Sequence, residues 1–220
     1  MDYQFQWRPV LRSLPDLLWG ALETVEIAGL AMLFGTVLAI FLALGKRSAK
    51  KYLIWPADAW IETARNTPAL FQIYMLYFGL GSLGLQVSSY AALLFGITFN
   101  NAGYLAETFR GGFAAVPETQ TRAARSLGLG AAQTIWYVVL PQMLRAVFHA
   151  MTNQMVWSIL MSSLGVVVGL NTDLTGVTQK LNVVTYRTFE YFFVAAALYY
   201  LISKAFTLSA RIVAWRLFRY

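Results

Sequence analysis

The chain has 220 residues, 58% of them hydrophobic and only 12% charged, where a soluble domain carries about twice that share of charge. With a mean hydropathy of +0.55 it lacks the charge to clothe a water-soluble globule, which argues against a cytosolic enzyme or a disordered chain and fits a polytopic helical membrane protein. The absence of cysteine excludes disulfides and zinc knuckles, the single histidine, His149, cannot build a multi-histidine metal site, and a net charge of +7 is read as basic cytoplasmic loops rather than nucleic-acid binding.

In chain order, the first twenty residues carry Asp2, Arg8, Arg12 and Asp16 and no long apolar run, so no cleavable signal peptide is evident. Ile27 to Gly45 is free of charge, with Glu23 and Glu26 just before it, read as capping the outer end of the first helix. Asn66 to Ala106 holds no charge over 41 residues, too long for one span of roughly 20 residues. Glycines and serines at 79–89 divide it in two. Ala146 to Thr172 is uncharged again, and Tyr191 to Ala210 contains only Lys204, which can snorkel to an interface. Five transmembrane helices are therefore predicted, at 22–45, 62–80, 88–110, 146–170 and 190–213, within one domain spanning 1–220. Trp7, Trp19, Trp55, Trp60 and Trp215 are read as interface anchors.

Lys and Arg number 2, 5, 0, 4, 2 and 4 in successive segments outside the spans, Lys204 and Arg219 being counted with the tail. The alternation places the N-terminus outside and the C-terminus in the cytoplasm.

The longest inner segment is not merely hydrophilic. Thr119 to Leu140 reads TQTRAARSLGLGAAQTIWYVVL and is followed by Pro141. Its alanines suit a short helix, Gly128 and Gly130 break it, and a second helical piece runs up to Pro141, which is expected to stop it before the fourth span. A loop of this kind is usually functional, at about 115–142 here.

This segment resembles the E-A-A-x3-G-x9-I-x-L-P loop of permease subunits of bacterial ATP-binding-cassette importers, through Ala123-Ala124, Gly128 and Leu140-Pro141. YLAETFRGGFAAVP (104–117) and RNTPALFQIYMLYFGL (65–80) are similar to segments of the branch that imports polar amino acids, as is the opening from Phe5 to Gly20. The resemblance covers nearly the whole chain. It implies a type I importer permease (MetI-like) fold in a bacterial inner membrane, with cytoplasmic coupling helices that dock on an ATPase. It implies as partners a sister permease, two ATP-binding subunits, a periplasmic solute-binding protein, an amino acid substrate and the lipid bilayer. ATP and Mg belong to the partner ATPase. The chain has no G-x-x-x-x-G-K-[ST] cradle of its own: at its Gly45-Lys46 step Ile40 stands where the first glycine is needed.

Two departures from the pattern stand out. Arg122 replaces the loop's glutamate, which reverses a charge among the coupling residues Arg122, Ala123, Ala124, Gly128, Leu140 and Pro141. The branch's K-D-T-S-L on the fourth helix becomes Leu160-Met161-Ser162-Ser163-Leu164. The lost aspartate suggests a heterodimer whose sister holds the fuller substrate site, and an acidic amino acid as cargo.

Polar residues within spans are candidate pathway residues. At ~100° per residue, Asn100, Tyr104, Glu107 and Gly111 share one face of the third helix. Gln154, Ser158, Met161 and Gly165 share one of the fourth, with Asn153 and Ser162 beside it. Facing one another, they give a pathway set of Asn100, Asn101, Tyr104, Glu107, Gln154, Ser158, Ser162 and Ser163. Glu107 could receive an amino group, while asparagine and serine could bind a carboxylate. Such groups also tie helices together at ~0.6 kcal/mol each, and pairing with Arg110 one turn away is the favoured reading of Glu107. His149 is read as a packing residue. Asn171, Asp173, Asn182 and Arg187 on the outer loop are either solvated or contacts for a binding protein. The alternatives are an ATP-independent channel or secondary carrier, or a membrane-embedded enzyme.

Overall fold

The computed structural model describes residues 3–218, so Asp2 and Arg219 of the charge count lie outside the described residues. Every described element is helical. A short helix α1, Trp7–Arg12, turns at Ser13 into α2, Leu14–Lys46, of 33 residues. Pro15 sits in the first turn of α2, where its missing N–H costs nothing. At 1.5 Å per residue α2 is about 50 Å long, well beyond a hydrocarbon core of about 30 Å. Because it begins at Leu14, Glu23 and Glu26 do not cap it. They lie in its third and fourth turns, where Glu23 accepts from the Thr172 hydroxyl and Glu26 from the Tyr90 hydroxyl at 3.0 Å.

The expected helix 62–80 is two helices. α3 is Lys51–Asn66 and α4 is Ala69–Ser82. Pro68 forces Thr67 into extended backbone, φ −120° and ψ 146°, which no helix can pass through. Within α4 the segment Met75–Gly79 is π-helical. α5, Ser89–Ala114, matches the expected third span, and Ser88 caps it by accepting from the Ala91 N–H at 3.2 Å.

After the short helix α6, Glu118–Ser126, comes α7, Ala131–Val168, which runs on through Pro141. The expectation that Pro141 stops the loop helix is therefore wrong. A π-helical stretch, Ile135–Val139, precedes the proline, and the Leu140 N–H donates to the Ile135 carbonyl five residues back. This widening loosens the backbone where a proline ring would otherwise crowd the preceding turn. The last turns of α7, Ser162–Val168, tighten to 3-10 geometry and end at Gly169, φ +82°. α8, Leu174–Thr185, and α9, Thr188–Leu217, complete the chain.

Among the described residues three helices, α2, α7 and α9, are long and apolar enough to cross a bilayer by length and composition. α5 is the axis of the fold and packs against α2, α3, α4 and α7. Its small residues permit this. A Cβ placed on Gly96, Gly103 or Gly112 would lie 2.6, 2.5 and 2.3 Å from Ile73, Ala64 and Val147 of α4, α3 and α7 respectively. Only glycine lets three neighbours approach so closely on one helix. α2 contributes a matching row of buried small residues, among them Ala28, Ala31, Gly35, Ala39 and Ala43.

Candidate functional site

The polar residues of the spans form two buried networks on α5, separated by the 100° between adjacent residues. Asn101 faces α7. It is fully buried, hydrogen-bonds Ser158 at 2.9 Å and accepts from Gln154 Nε2 at 2.8 Å. Asn100 points elsewhere, donating to the Ala64 carbonyl at 3.1 Å and to Gln72 Oε1 at 3.2 Å. The expected meeting of the Asn100 face with the Gln154–Ser158 face is thus corrected by one residue. Gln72 had no place among the expected site residues, although it stands in the motif RNTPALFQ. It is buried and clasps the α3–α4 break, donating to the Thr67 hydroxyl at 2.9 Å and the Ala64 carbonyl at 3.0 Å.

The other expected pathway residues are spread out. Ser162 is buried, donates to the Ile159 carbonyl at 2.8 Å and lies 3.5 Å from the Tyr199 hydroxyl. Ser163 donates to the Leu160 carbonyl at 2.7 Å. Tyr104 is 39% exposed and beneath the Arg65 guanidinium, 5.8 Å from the ring centre. His149 is on an exposed face of α7 beside Phe148, not packed between helices as expected. Trp60 turns inward, its indole N–H donating to the Phe99 carbonyl at 3.3 Å, which corrects its reading as an interface anchor.

Glu107 is held near the C-terminal end of α5 by cations from three helices. Its Oε1 accepts from Lys46 Nζ of α2 at 2.9 Å, its Oε2 pairs with Arg110 at 2.8 Å, and Arg65 of α3 is 4.0 Å away. Lys46 also lies 3.0 Å from Asp58 Oδ1 of α3. The expected Glu107–Arg110 pair is present, but Lys46 and Asp58, which reasoning along the sequence missed, make it a network. No linear signal places the end of α2 beside the middle of α3.

Past Pro117 the chain enters the exposed corner of α6 and α7. Gly128 adopts φ +87° and makes this corner, a left-handed backbone that suits glycine. The Leu129 N–H returns to the Ala124 carbonyl at 3.2 Å, closing the end of α6. Gln133 Oε1 accepts from the Gly130 N–H at 2.8 Å and opens α7. Ala124 is buried and Ala123 exposed. Leu127, Trp136 and Tyr137 are 84%, 66% and 73% exposed, an apolar surface on a projecting corner. Arg122, at the position of the motif's glutamate, pairs with Glu118 one turn earlier at 3.0 Å. Leu140 packs on the inner core cluster around Phe109 and Met143, and Pro141 is exposed.

At the other end Asp173 caps α8, accepting from the Thr175 and Gly176 N–H groups at 3.1 Å each. It is fully buried, so it is neither solvated nor open to a partner. Burial pushes its carboxyl up to about 6, against the pull of these two donors. Arg187 donates to the Gln4 carbonyl at 3.0 Å, and Asn182 accepts from Thr188 at 2.9 Å. A cavity of about 550 Å³ opens beside them, lined by Asp16, Trp19, Glu23, Glu26, Asn171 and Lys180 among others.

These features define a helical integral membrane protein with a polar interior and a stiff projecting helical corner. Residues 35–219 match the family model described as binding-protein-dependent transport system inner membrane component. The chain belongs to that family, in the branch of amino-acid ABC transporter permeases. It is 32% identical to the probable amino-acid ABC transporter permease protein YckA of Bacillus subtilis (strain 168), over 86% of this chain and 82% of the relative. It is 34% identical to the octopine transport system permease protein OccM of Rhizobium meliloti, over 90% of this chain and 82% of that one. Among solved structures, one titled as a crystal structure of an amino acid ABC transporter with histidines superposes with a TM-score of 0.90 at 30% identity, covering 97% of this chain and 100% of the other. The inward-facing MetNI methionine transporter shares the fold, with a TM-score of 0.70 at 20% identity over 92% of this chain and 98% of that one. The chain is a multi-pass inner-membrane permease subunit, and the ATPase site lies on a partner rather than on this chain.

Proposed function

We propose that this chain forms half of the translocation pathway of an ATP-driven importer of a polar amino acid, and that the Gly128 corner couples it to the ATPase. The observation that carries the reading is the corner itself: two helices joined at a left-handed glycine, exposing Leu127, Trp136 and Tyr137 at the end of a helix continuous with a membrane span. A surface of this kind in water calls for a partner. Coupling residues are Arg122, Ala123, Ala124, Gly128, Leu140 and Pro141. Two ATP-binding subunits, a sister permease and a periplasmic solute-binding protein complete the assembly, and the bilayer is crossed five times, by α2, the α3–α4 pair, α5, α7 and α9. The N-terminus is outside and the C-terminus cytoplasmic, as the alternating count of basic residues supports.

Substrate contacts are read as Tyr104 on α5 and Gln154 and Ser163 on α7, polar side chains that are at least partly exposed. Asn100, Asn101, Ser158 and Ser162 brace these helices from inside, and the outer cavity near Glu23 and Lys180 is the mouth of the pathway. The cargo is read as an acidic amino acid, because Met161 occupies the place of the branch's aspartate. The glutamate transport system permease protein GluD of Corynebacterium glutamicum, 34% identical over 74% of this chain and 62% of that protein, is a relative in keeping with this.

The test is reconstitution with the ATPase, sister and binding protein in vesicles. Gly128→Asp adds a charged side chain at φ +87° and is expected to abolish substrate-stimulated ATP hydrolysis. Stimulation equal to wild type would refute coupling through this corner. Arg122→Glu is expected to retain transport, since Arg122 is fully employed by Glu118 on an exposed helix.

A further inference from the structure

The network around Lys46 is a junction that the transport reading above does not use. α5 and α6 are joined by only three residues, Ala115 to Pro117. Hydrogen bonds continue into this corner, from the Ala115 N–H to the Gly111 carbonyl at 3.0 Å and from the Val116 N–H to the Phe113 carbonyl at 3.3 Å. A push on α6 therefore reaches α5 directly. α2 has no such chain connection to the corner and meets α7, which begins there, only through side-chain packing. It ends at Lys46 and continues only into α3, on the far side of the loop 47–50.

What links α2 to α5 along most of its length is a seam of small apolar residues. Such contact is close, a Cβ on Gly35 falling 2.6 Å from Asn101 Cβ, and resists separation, but it contains no charge pair that selects one register over another. The ionic contact at its inner end is directional. A slide of one helical turn, about 5.4 Å, would break the 2.9 Å contact between Lys46 and Glu107. Glu107 is only 16% exposed at its side chain, and Lys46 30%, so the pair is less screened than a surface bridge. Asp58 Oδ1 is buried and has no aligned hydrogen bond, so its charge is compensated by Lys46.

We propose that the Lys46–Glu107 pair is the clamp through which motion of the coupling corner reaches α2, so that α2 and α5 move as one body during transport. Lys46 and Glu107 are positioning residues here: they fix the register of two helices. This rests on docking of the α6–α7 corner to the ATPase, and the experiment separates the two ideas.

In the reconstituted assembly, Lys46→Met, Glu107→Gln and the double variant are compared by the ratio of substrate-stimulated to basal ATP hydrolysis. Lys46→Met is expected to lower the ratio about tenfold, with co-purification of the ATPase and basal hydrolysis unchanged, and to lower the melting temperature as well, because it leaves Asp58 and Glu107 without their shared cation. Lys46→Arg, which keeps the charge, is expected to restore most of the ratio. The double variant should be no worse than the worse single one, because both remove the same link. An unchanged ratio in both single variants overturns the clamp. So do additive losses, losses that Lys46→Arg fails to restore, or losses that track a fall in ATPase recovery. If Gly128→Asp uncouples and Lys46→Met does not, the clamp alone is wrong. If Gly128→Asp couples normally, the docking reading is wrong.

Discussion

α5 and α9 are both long helices rich in apolar residues, yet they do opposite jobs. α5 buries fourteen of its 26 residues, including Asn100 and Asn101. α9 buries three of 30, Glu190, Tyr191 and Ala195. The difference lies in residue size. α5 meets its neighbours through Gly96, Gly103, Gly112 and several alanines, whereas α9 presents Phe192, Phe193, Tyr200, Leu201, Leu208 and Ile212 outward. In a membrane lipid is as apolar as leucine, so hydropathy does not say which helix is central. Small residues do, because only they allow backbones to approach.

The sharpest way to break this contrast is on adjacent glycines. Gly112→Val puts side-chain atoms where Val147 already stands 2.3 Å from the first added carbon, whereas a Cβ at Gly111 meets nothing within 4 Å. Overpacking of this kind costs typically 1–3 kcal/mol or more. Gly112→Val should lose most of the folded yield in detergent, while Gly111→Ala should match wild type in a thermal-shift assay. Equal effects would deny α5 its central place. On α9, Leu201→Ala should change the melting temperature far less than Gly112→Val does.

A smaller effect tests the polar interior. Asn101→Leu strands the Gln154 amide, while Ser158 keeps its bond to the Gln154 carbonyl, and should cost on the order of 1–2 kcal/mol in equilibrium unfolding. Asn100→Leu should cost a similar amount through Gln72. If Asn101→Leu instead left stability untouched and reduced transport, Asn101 would belong to the pathway itself rather than to its brace.

A further effect is one of pH, at the Asp173 end of the molecule. The folded-state carboxyl of Asp173 is raised from 3.8 to about 6. Its contribution to stability is fully present below about 4 and is lost as the pH rises through about 6, because the folded state prefers the protonated form. The nearest acid facing it is Glu23, whose charge acts in the same direction. Asp173→Asn keeps an oxygen for the N–H groups of Thr175 and Gly176. The fall in melting temperature between pH 4 and 7 should be shallower in that variant. An identical slope would remove Asp173 as its source.

Reading along the chain located charge-free runs well and their ends less well. The second predicted helix failed at Thr67–Pro68, where a local rule about the residue before proline overrides a continuous apolar run. The fourth failed at Pro141 for the converse reason: a π-helical widening lets a helix continue past a residue that usually ends one. Among the candidate polar residues, Asn101 rather than Asn100 meets Gln154 and Ser158, since one residue turns a side chain by 100° and the neighbours on each side are fixed only by packing.

The sequence by itself determined that this is an all-helical membrane chain, which runs lack charge, which segment carries the corner at Gly128, and which transport family it belongs to. The first three follow from composition and from residue types along the chain, and the family from resemblance to its motifs; all are legible in the chain as a line. Tertiary structure alone decided that α5 is the axis, that Gln72 closes the α3–α4 break, that Asp173 is a buried cap, and that Lys46 meets Glu107 from 61 residues away. Each of those is a contact between helices distant in sequence, and such a contact exists only after small residues have let the helices pack.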